Sequence, residues 1–158
     1  MNKIASFCIN HDRLRQGIYL SRIDGDVLSY DLRMKKPNND DYLDQAGLHT
    51  LEHLFATYMR NSSVQDHVIY IGPMGCRTGF YLLVRDSLSQ EDVIALVKEA
   101  CCYAADFEGE IPGAGTSAEC GNYREHDLAK ARQYAREYRA VMESVTIADL
   151  SYPEEVTL

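Results

Sequence analysis

The stretch His49-Thr50-Leu51-Glu52-His53 constrains the fold more than any other part of this chain. It lies in a run whose apolar residues (Ala46, Leu48, Leu51, Leu54, Phe55 and Met59) recur at helical spacing. Two histidines four apart on a helix sit one above the other on the same face, about one turn or ~6 Å apart. Both imidazoles can then reach a single ion, with Glu52 beside them on its open side. One helix face supplies two ligands, so a third has to come from a distant segment.

The H-x-x-E-H pattern occurs in zinc hydrolases as the inverse of H-E-x-x-H. A helix that merely carries two hydrogen-bonded histidines fits the spacing as well. Cys120 shifts the balance, because it lies in a polar loop rich in glycine and proline (Pro112, Gly113, Gly115) from which a thiolate can be presented. Two histidines, one cysteine and an open position form a workable catalytic ligand set for zinc, and Fe²⁺ or Co²⁺ suit the same donors. Cys76 is the second reactive group. It sits in a tight Pro73-Met74-Gly75-Cys76-Arg77-Thr78-Gly79 loop, where a neighbouring cation such as Arg77 favours the thiolate. If Cys76 and Glu52 both face the ion, proton shuttling next to a carbonyl is the natural chemistry. The bare spacings leave hydrolysis equally open.

The chain has 158 residues, enough for one domain over 1–158 with its own core. Its 46% hydrophobic and 25% charged residues are an ordinary globular balance. A formal net charge of −8 argues against nucleic-acid or anionic-membrane surfaces, which favour basic patches. No apolar run approaches the ~18 residues of a membrane span, and no export signal is read at the start. The expected setting is cytoplasmic, so the five cysteines are expected as thiols or metal ligands. Cys101 and Cys102 are both expected to pack as small apolar residues.

Gly17 to Met34 reads as a β-hairpin turning at Asp24-Gly25. Pro37-Asn38-Asn39-Asp40 leads into the histidine helix, roughly Asp44 to Asn61. Strands are expected at Val68-Ile71 and Gly79-Arg85, then a helix from the Ser89 cap to about Phe107. A last helix is expected from about Glu125 to Ser144, with a peripheral tail from Thr146. The pattern is α+β, with a mainly antiparallel sheet flanked by helices.

Several blocks taken together resemble one family. They are Ser6-Phe7 with His11; Tyr30-Asp31-Leu32-Arg33 with Pro37-Asn38; His49-Thr50-Leu51-Glu52-His53-Leu54; Gly72-Pro73-Met74-Gly75-Cys76-Arg77-Thr78-Gly79-Phe80-Tyr81; and Ile111-Pro112 with Cys120-Gly121. Over about residues 6 to 145 they resemble the S-ribosylhomocysteine lyase (LuxS) family. The resemblance implies a homodimer of α+β subunits whose sheets pack together, with the active sites at the interface. It implies one Fe²⁺ per subunit, replaceable by Zn²⁺ or Co²⁺, on His49, His53, Cys120 and a water. The implied substrate is S-ribosylhomocysteine, a small molecule. Its thioether is cleaved to homocysteine and 4,5-dihydroxy-2,3-pentanedione, the autoinducer-2 precursor, in the service of the methyl cycle and quorum sensing.

That reaction suits the residues. A thioether leaves readily only from the carbon β to a carbonyl, so the sugar carbonyl must first migrate by two enediol isomerisations. Each step removes one proton and returns another, which suits Cys76 as thiolate base and Glu52 as its partner. The resemblance places Ser6, His11 and Arg33 at substrate-contacting positions, the first two across the interface and Arg33 on the homocysteine portion. Two departures fall on the substrate side. Tyr70-Ile71-Gly72-Pro73 stands where the family carries Asp-Ile-Ser-Pro, and Arg13-Leu14-Arg15 stands where Pro-x-Val-Arg is expected. The alternatives are an H-x-x-E-H metallohydrolase, or a family member that binds metal with altered or lost activity.

Overall fold

The computed structural model describes residue 2 and residues 4–157. Four antiparallel strands, β1 (Gly17–Asp24), β2 (Val27–Arg33), β3 (Val68–Pro73) and β4 (Gly79–Arg85), form a sheet in the order β1-β2-β4-β3. Helices α1 (Gln45–Met59), α2 (Gln90–Asp106) and α3 (Leu128–Met142) pack on one face of it. Among the described residues no helix is long and apolar enough to cross a membrane.

Strand side chains alternate between faces. Ile18, Tyr30, Leu32, Phe80, Leu82 and Val84 therefore point together into the core, where they meet Leu51, Leu54, Phe55, Val93, Val97 and Tyr138 from the helices. The opposite face carries the register row Tyr19, Asp31, Tyr81, Gly72 and, next to it, Gly17, Arg33, Gly79. Gly79 has a steric reason to be glycine, since a Cβ there would run into the backbone carbonyl of Leu32 on the neighbouring strand.

The hairpin forms, but its turn is Gly25-Asp26, one residue later than expected, because Asp24 pairs with Val27. Ser21 is the cause: it bulges between the Leu20–Tyr30 and Arg22–Ser29 pairs and adds one residue to β1. The last helix also starts late, at Leu128, with Asp127 as its N-cap accepting from the Lys130 N–H. Residues 125 and 126 are kept out of the helix by their contacts at the histidines, described below. The tail is not peripheral: Leu150 and Val156 are buried, and Val156 accepts from the Asn10 N–H at 2.6 Å. Of the adjacent cysteines only Cys101 is buried, and burial pushes its thiol up to about 12. Cys102 is exposed, against the expectation that both pack, because neighbours lie about 100° apart around a helix.

Helix α1 is held at its start by Asp44, which accepts from the Gly47 N–H at 3.1 Å and the Tyr134 hydroxyl at 2.5 Å and pairs with Lys130 at 3.2 Å. Gly47 lets α3 come this close, since a Cβ would overlap the Tyr134 ring and the Lys130 side chain. Partial burial raises the Asp44 pKa, but the hydrogen bonds from Tyr134, Gly47 and Lys130 outweigh it and leave the pKa lowered. A carboxylate with a depressed folded-state pKa contributes stability that is complete above the unfolded value of ~3.9 and is lost as pH falls through the folded value. Asp44→Ala should therefore cost about 0.5–2 kcal/mol in urea unfolding at pH 7. The gap to wild type should narrow below about pH 4; an equal gap at pH 3 and pH 7 would contradict this.

Candidate active site

His49 and His53 project from one face of α1, and the loop from Gly109 to Asp127 closes over them. The His49 Nδ1–H donates to the Glu125 carbonyl at 2.9 Å, and the His53 Nδ1–H donates to the Pro112 carbonyl at 2.7 Å. A carbonyl can only accept, so each ring carries a proton on Nδ1, and in its neutral, metal-binding form it turns a bare Nε2 inward. These two acceptors lie 3.2 Å apart, with Cys120 Sγ 3.3 Å from one and 3.8 Å from the other. Two bare lone pairs cannot hydrogen-bond to each other, so the arrangement is repulsive without a cation.

The dimensions fit one. A tetrahedral ion with nitrogens at ~2.0–2.1 Å and sulfur at ~2.3 Å spaces its ligands about 3.3 Å apart for N···N and about 3.5 Å for N···S. The carbonyl acceptors behind the two rings are the usual outer support of metal-binding imidazoles. Cys120 is set by its own loop: its N–H donates to the Thr116 carbonyl at 3.4 Å, and its sulfur accepts from the Asn122 N–H at 3.4 Å. His49, His53 and Cys120, expected as ligands from the sequence, are thus brought together.

His126 joins them and was not foreseen. Its ligand atom lies within 4.8 Å of the other three. The ring stacks on His49 with centroids 4.0 Å apart and 25° between planes, and meets His53 edge-on. Near-parallel rings direct their lone pairs alongside each other and not to a common point, a geometry that suits His126 to bracing His49 more than to sharing an ion with it. Its Nδ1 is 3.0 Å from the Thr50 hydroxyl, which also accepts from the Asp127 N–H at 2.9 Å. Its Nε2 is buried without a partner. Burial, then His49 and His53, push its pKa down to about 4, so it is neutral at pH 7. The available signal was its position six residues after Cys120, immediately before a helix cap.

Cys76 is exposed at the tip of the β3–β4 connection. Its partners are not its sequence neighbours. Arg77, with φ 58°, turns away to the Leu43 carbonyl at 3.4 Å and the Tyr42 ring. The cation near the thiol is Arg33, whose Nη1 lies 3.9 Å from Sγ and donates to Thr78 Oγ1 at 2.6 Å, while that hydroxyl is 3.1 Å from Sγ. Arg33 itself is buried, its Nε and Nη2 engaged by Asp31 at 3.0 and 2.7 Å. The fold therefore sets Arg33 beneath the thiol, with Nε, Nη1 and Nη2 each already donating to Asp31 or Thr78. The Arg77 carbonyl accepts from the Leu43 N–H at 2.9 Å, which ties the Cys76 loop to the segment entering α1.

Glu52 is half-buried on α1 and, among the described residues, makes no hydrogen bond or ion pair. Ser6 and His11 are half-buried in the N-terminal segment. Ser6 lines a pocket with Ser21, Tyr70 and Tyr81 on the outer sheet face, and the His11 Nδ1 is 2.9 Å from the Ile9 carbonyl. Neither bonds to the histidine cluster. Tyr70 and Gly72 are sterically coupled: a Cβ on Gly72 would overlap the Tyr70 hydroxyl end, so the ring occupies the space a side chain at position 72 would need.

Residues 4–148 match the family model for S-ribosylhomocysteinase (LuxS). The chain belongs to the S-ribosylhomocysteinase (LuxS) family. It is 48% identical to the S-ribosylhomocysteine lyase of Phocaeicola vulgatus, over 97% of this chain and 98% of that one. It is 45% identical to that of Desulfotalea psychrophila, over 97% and 99%. It is 42% identical to that of Clostridium acetobutylicum, over 98% and 100%. The family match takes in all four cluster residues and Cys76.

His49→Ala, His53→Ala and Cys120→Ala should each yield protein essentially free of metal by elemental analysis. His126→Ala should keep the ion but bind it about tenfold more weakly in chelator competition, the scale expected for an outer support. Full metal content in any of the first three would remove that residue from the ligand set.

Proposed function

We propose that this chain is an S-ribosylhomocysteine lyase, releasing homocysteine and 4,5-dihydroxy-2,3-pentanedione, the autoinducer-2 precursor. The observation that carries the reading is the pair of bare Nε2 atoms facing Cys120 beside a helix that presents Glu52, in a chain belonging to this family. Fe²⁺ is the ion we assign to His49, His53 and Cys120, with Zn²⁺ or Co²⁺ as substitutes. An ion held there supplies Lewis-acid stabilisation of negative charge on a substrate oxygen.

The chain's own groups move the protons. Cys76, as thiolate, takes a proton from a sugar carbon and returns it to the adjacent carbon, shifting the carbonyl one position at a time. Glu52 carries the matching protons among the sugar oxygens. Once the carbonyl stands at C3, loss of the C4 proton expels the C5 thioether sulfur, which leaves as the thiol of homocysteine. Arg33 and Thr78 support this by hydrogen-bonding and charge at Sγ. A hydrolase reading of the same helix leaves this buried apparatus under Cys76 without a task.

The active unit is a homodimer in a cytoplasmic setting that keeps the five free thiols reduced. Support comes from the sheet's outer face and the segment before it, where Tyr70 on the former and Ile4 and Phe7 on the latter are exposed. Ser6 and His11 then serve the partner's site. Tyr70, sharing the Ser6 pocket, is where substrate preference would depart from that of other members.

Under anaerobic conditions, metal-replete protein given S-ribosylhomocysteine should release one thiol per substrate consumed. Cys76→Ala and Glu52→Gln should each lower the rate by at least about 10²-fold with metal content unchanged. Absence of thiol release from the iron-loaded wild type would refute the activity, and normal turnover by Cys76→Ala would refute the assignment of the base. Equilibrium sedimentation should return twice the chain mass; a monomer at micromolar concentration would contradict the shared site.

A further inference from the structure

The C-terminal segment lies beyond the part of the chain matched by the family, which ends at residue 148. It is nonetheless built into the support of Cys76. The Tyr152 hydroxyl donates to Asp31 Oδ2 at 2.8 Å. Its ring stacks on Tyr19 of β1, with centroids 4.8 Å apart and 18° between planes. Leu150 and Val156, buried on either side, hold the segment against the body of the protein.

We infer that Tyr152 is a positioning residue for the Cys76 site, acting through Asp31, Arg33 and Thr78. This rests on the reading of Cys76 as the acid/base group. The direction of each bond from Tyr152 to Thr78 is forced, and the last, at the thiol, follows once Cys76 is the thiolate. A carboxylate only accepts, so the phenol must donate to Asp31; burial, then Asp31, raises the Tyr152 pKa and keeps that proton in place. A guanidinium only donates, so Arg33 gives two hydrogens to Asp31 and one, from Nη1, to Thr78 Oγ1. With Cys76 as the thiolate, which can only accept, the Thr78 hydroxyl gives its single hydrogen to Sγ, 3.1 Å away.

Asp31 and Arg33 side chains are only 1% and 3% exposed, so water does not substitute for a missing partner. Tyr152 shares the Asp31 charge with Arg33. Without that hydroxyl the carboxylate draws the guanidinium more strongly, away from Thr78 and the thiol. The tail thereby tunes how firmly Nη1 and the Thr78 hydroxyl are held at Sγ, although Tyr152 does not touch the thiol itself.

Tyr152→Phe removes only the hydroxyl and keeps the ring stacked on Tyr19. The measurements are kcat and KM on S-ribosylhomocysteine, metal content, and the rate of Cys76 alkylation by iodoacetamide at pH 7, followed on the Cys76 peptide by mass spectrometry. We expect kcat to fall about tenfold, the scale of a lost hydrogen bond to a charge, with KM within twofold, metal unchanged and alkylation slowed several-fold. In an Asp31→Asn background, Tyr152→Phe should have little further effect, since the charge it shares is gone. Wild-type alkylation and turnover in Tyr152→Phe would overturn the inference, as would equal effects in both backgrounds. Alkylation needs no turnover, so it reads the relay even if Cys76 is not the base; normal activity of Cys76→Ala would instead strike the functional reading alone.

Discussion

Two imidazole nitrogens without protons, held 3.2 Å apart, set most of what surrounds them. Their geometry is imposed from behind, by the Pro112 and Glu125 carbonyls that take the Nδ1 protons. To place those carbonyls, the chain between α2 and α3 must reach the histidine face of α1 at both Pro112 and Glu125. That requirement delays α3 until Leu128, brings His126 flat against His49, and leaves Cys120 facing both rings. Helix α1 must in turn be firmly seated, and Asp44, Gly47 and Tyr134 lock its first turn to α3. A cation converts the repulsion into cohesion, so metal binding and the order of this loop are expected to be one event.

The sheet's second face answers a different electrostatic problem. A buried carboxylate and guanidinium cost several kcal/mol each to desolvate unless they are paired and fully hydrogen-bonded. Asp31 and Arg33 meet that condition by borrowing from three regions: Thr78 from the β3–β4 connection, Tyr152 from the tail, and the glycines at 17 and 79 that flank Arg33 in register. The result is a positive group within 3.9 Å of an exposed thiol. The two faces of the sheet thus have separate tasks, with packing against the helices on one and support of Cys76 on the other.

Much of this was legible in the chain. Helical spacing marked α1, and Ser89 with Asp92 marked the start of α2, because local periodicity and capping depend on near neighbours. The candidate ligands His49, His53 and Cys120, which the fold brings together, could be named because two stood on one helix face and the third in a polar loop. His126 could not, since its role comes from stacking on a residue 77 positions away, the difference between 126 and 49. Arg77 was the natural partner for Cys76 by adjacency, yet its left-handed backbone turns it outward and Arg33 takes its place. The hairpin turn was displaced by one residue because a bulge at Ser21 carries no local signature.

The sequence by itself determined the α+β class, the order of the main elements, the family, and the metal-ligand candidates, since these follow from periodicity and from motifs read along the chain. Only the tertiary structure decided which groups surround Cys76, where α3 begins, and that the tail reaches Asp31 through Tyr152. The physical reason is the same in each case: hydrogen bonds to buried charges and to ring nitrogens are satisfied across space, by whichever donors and acceptors the packed elements bring within reach, and separation along the chain does not limit that reach.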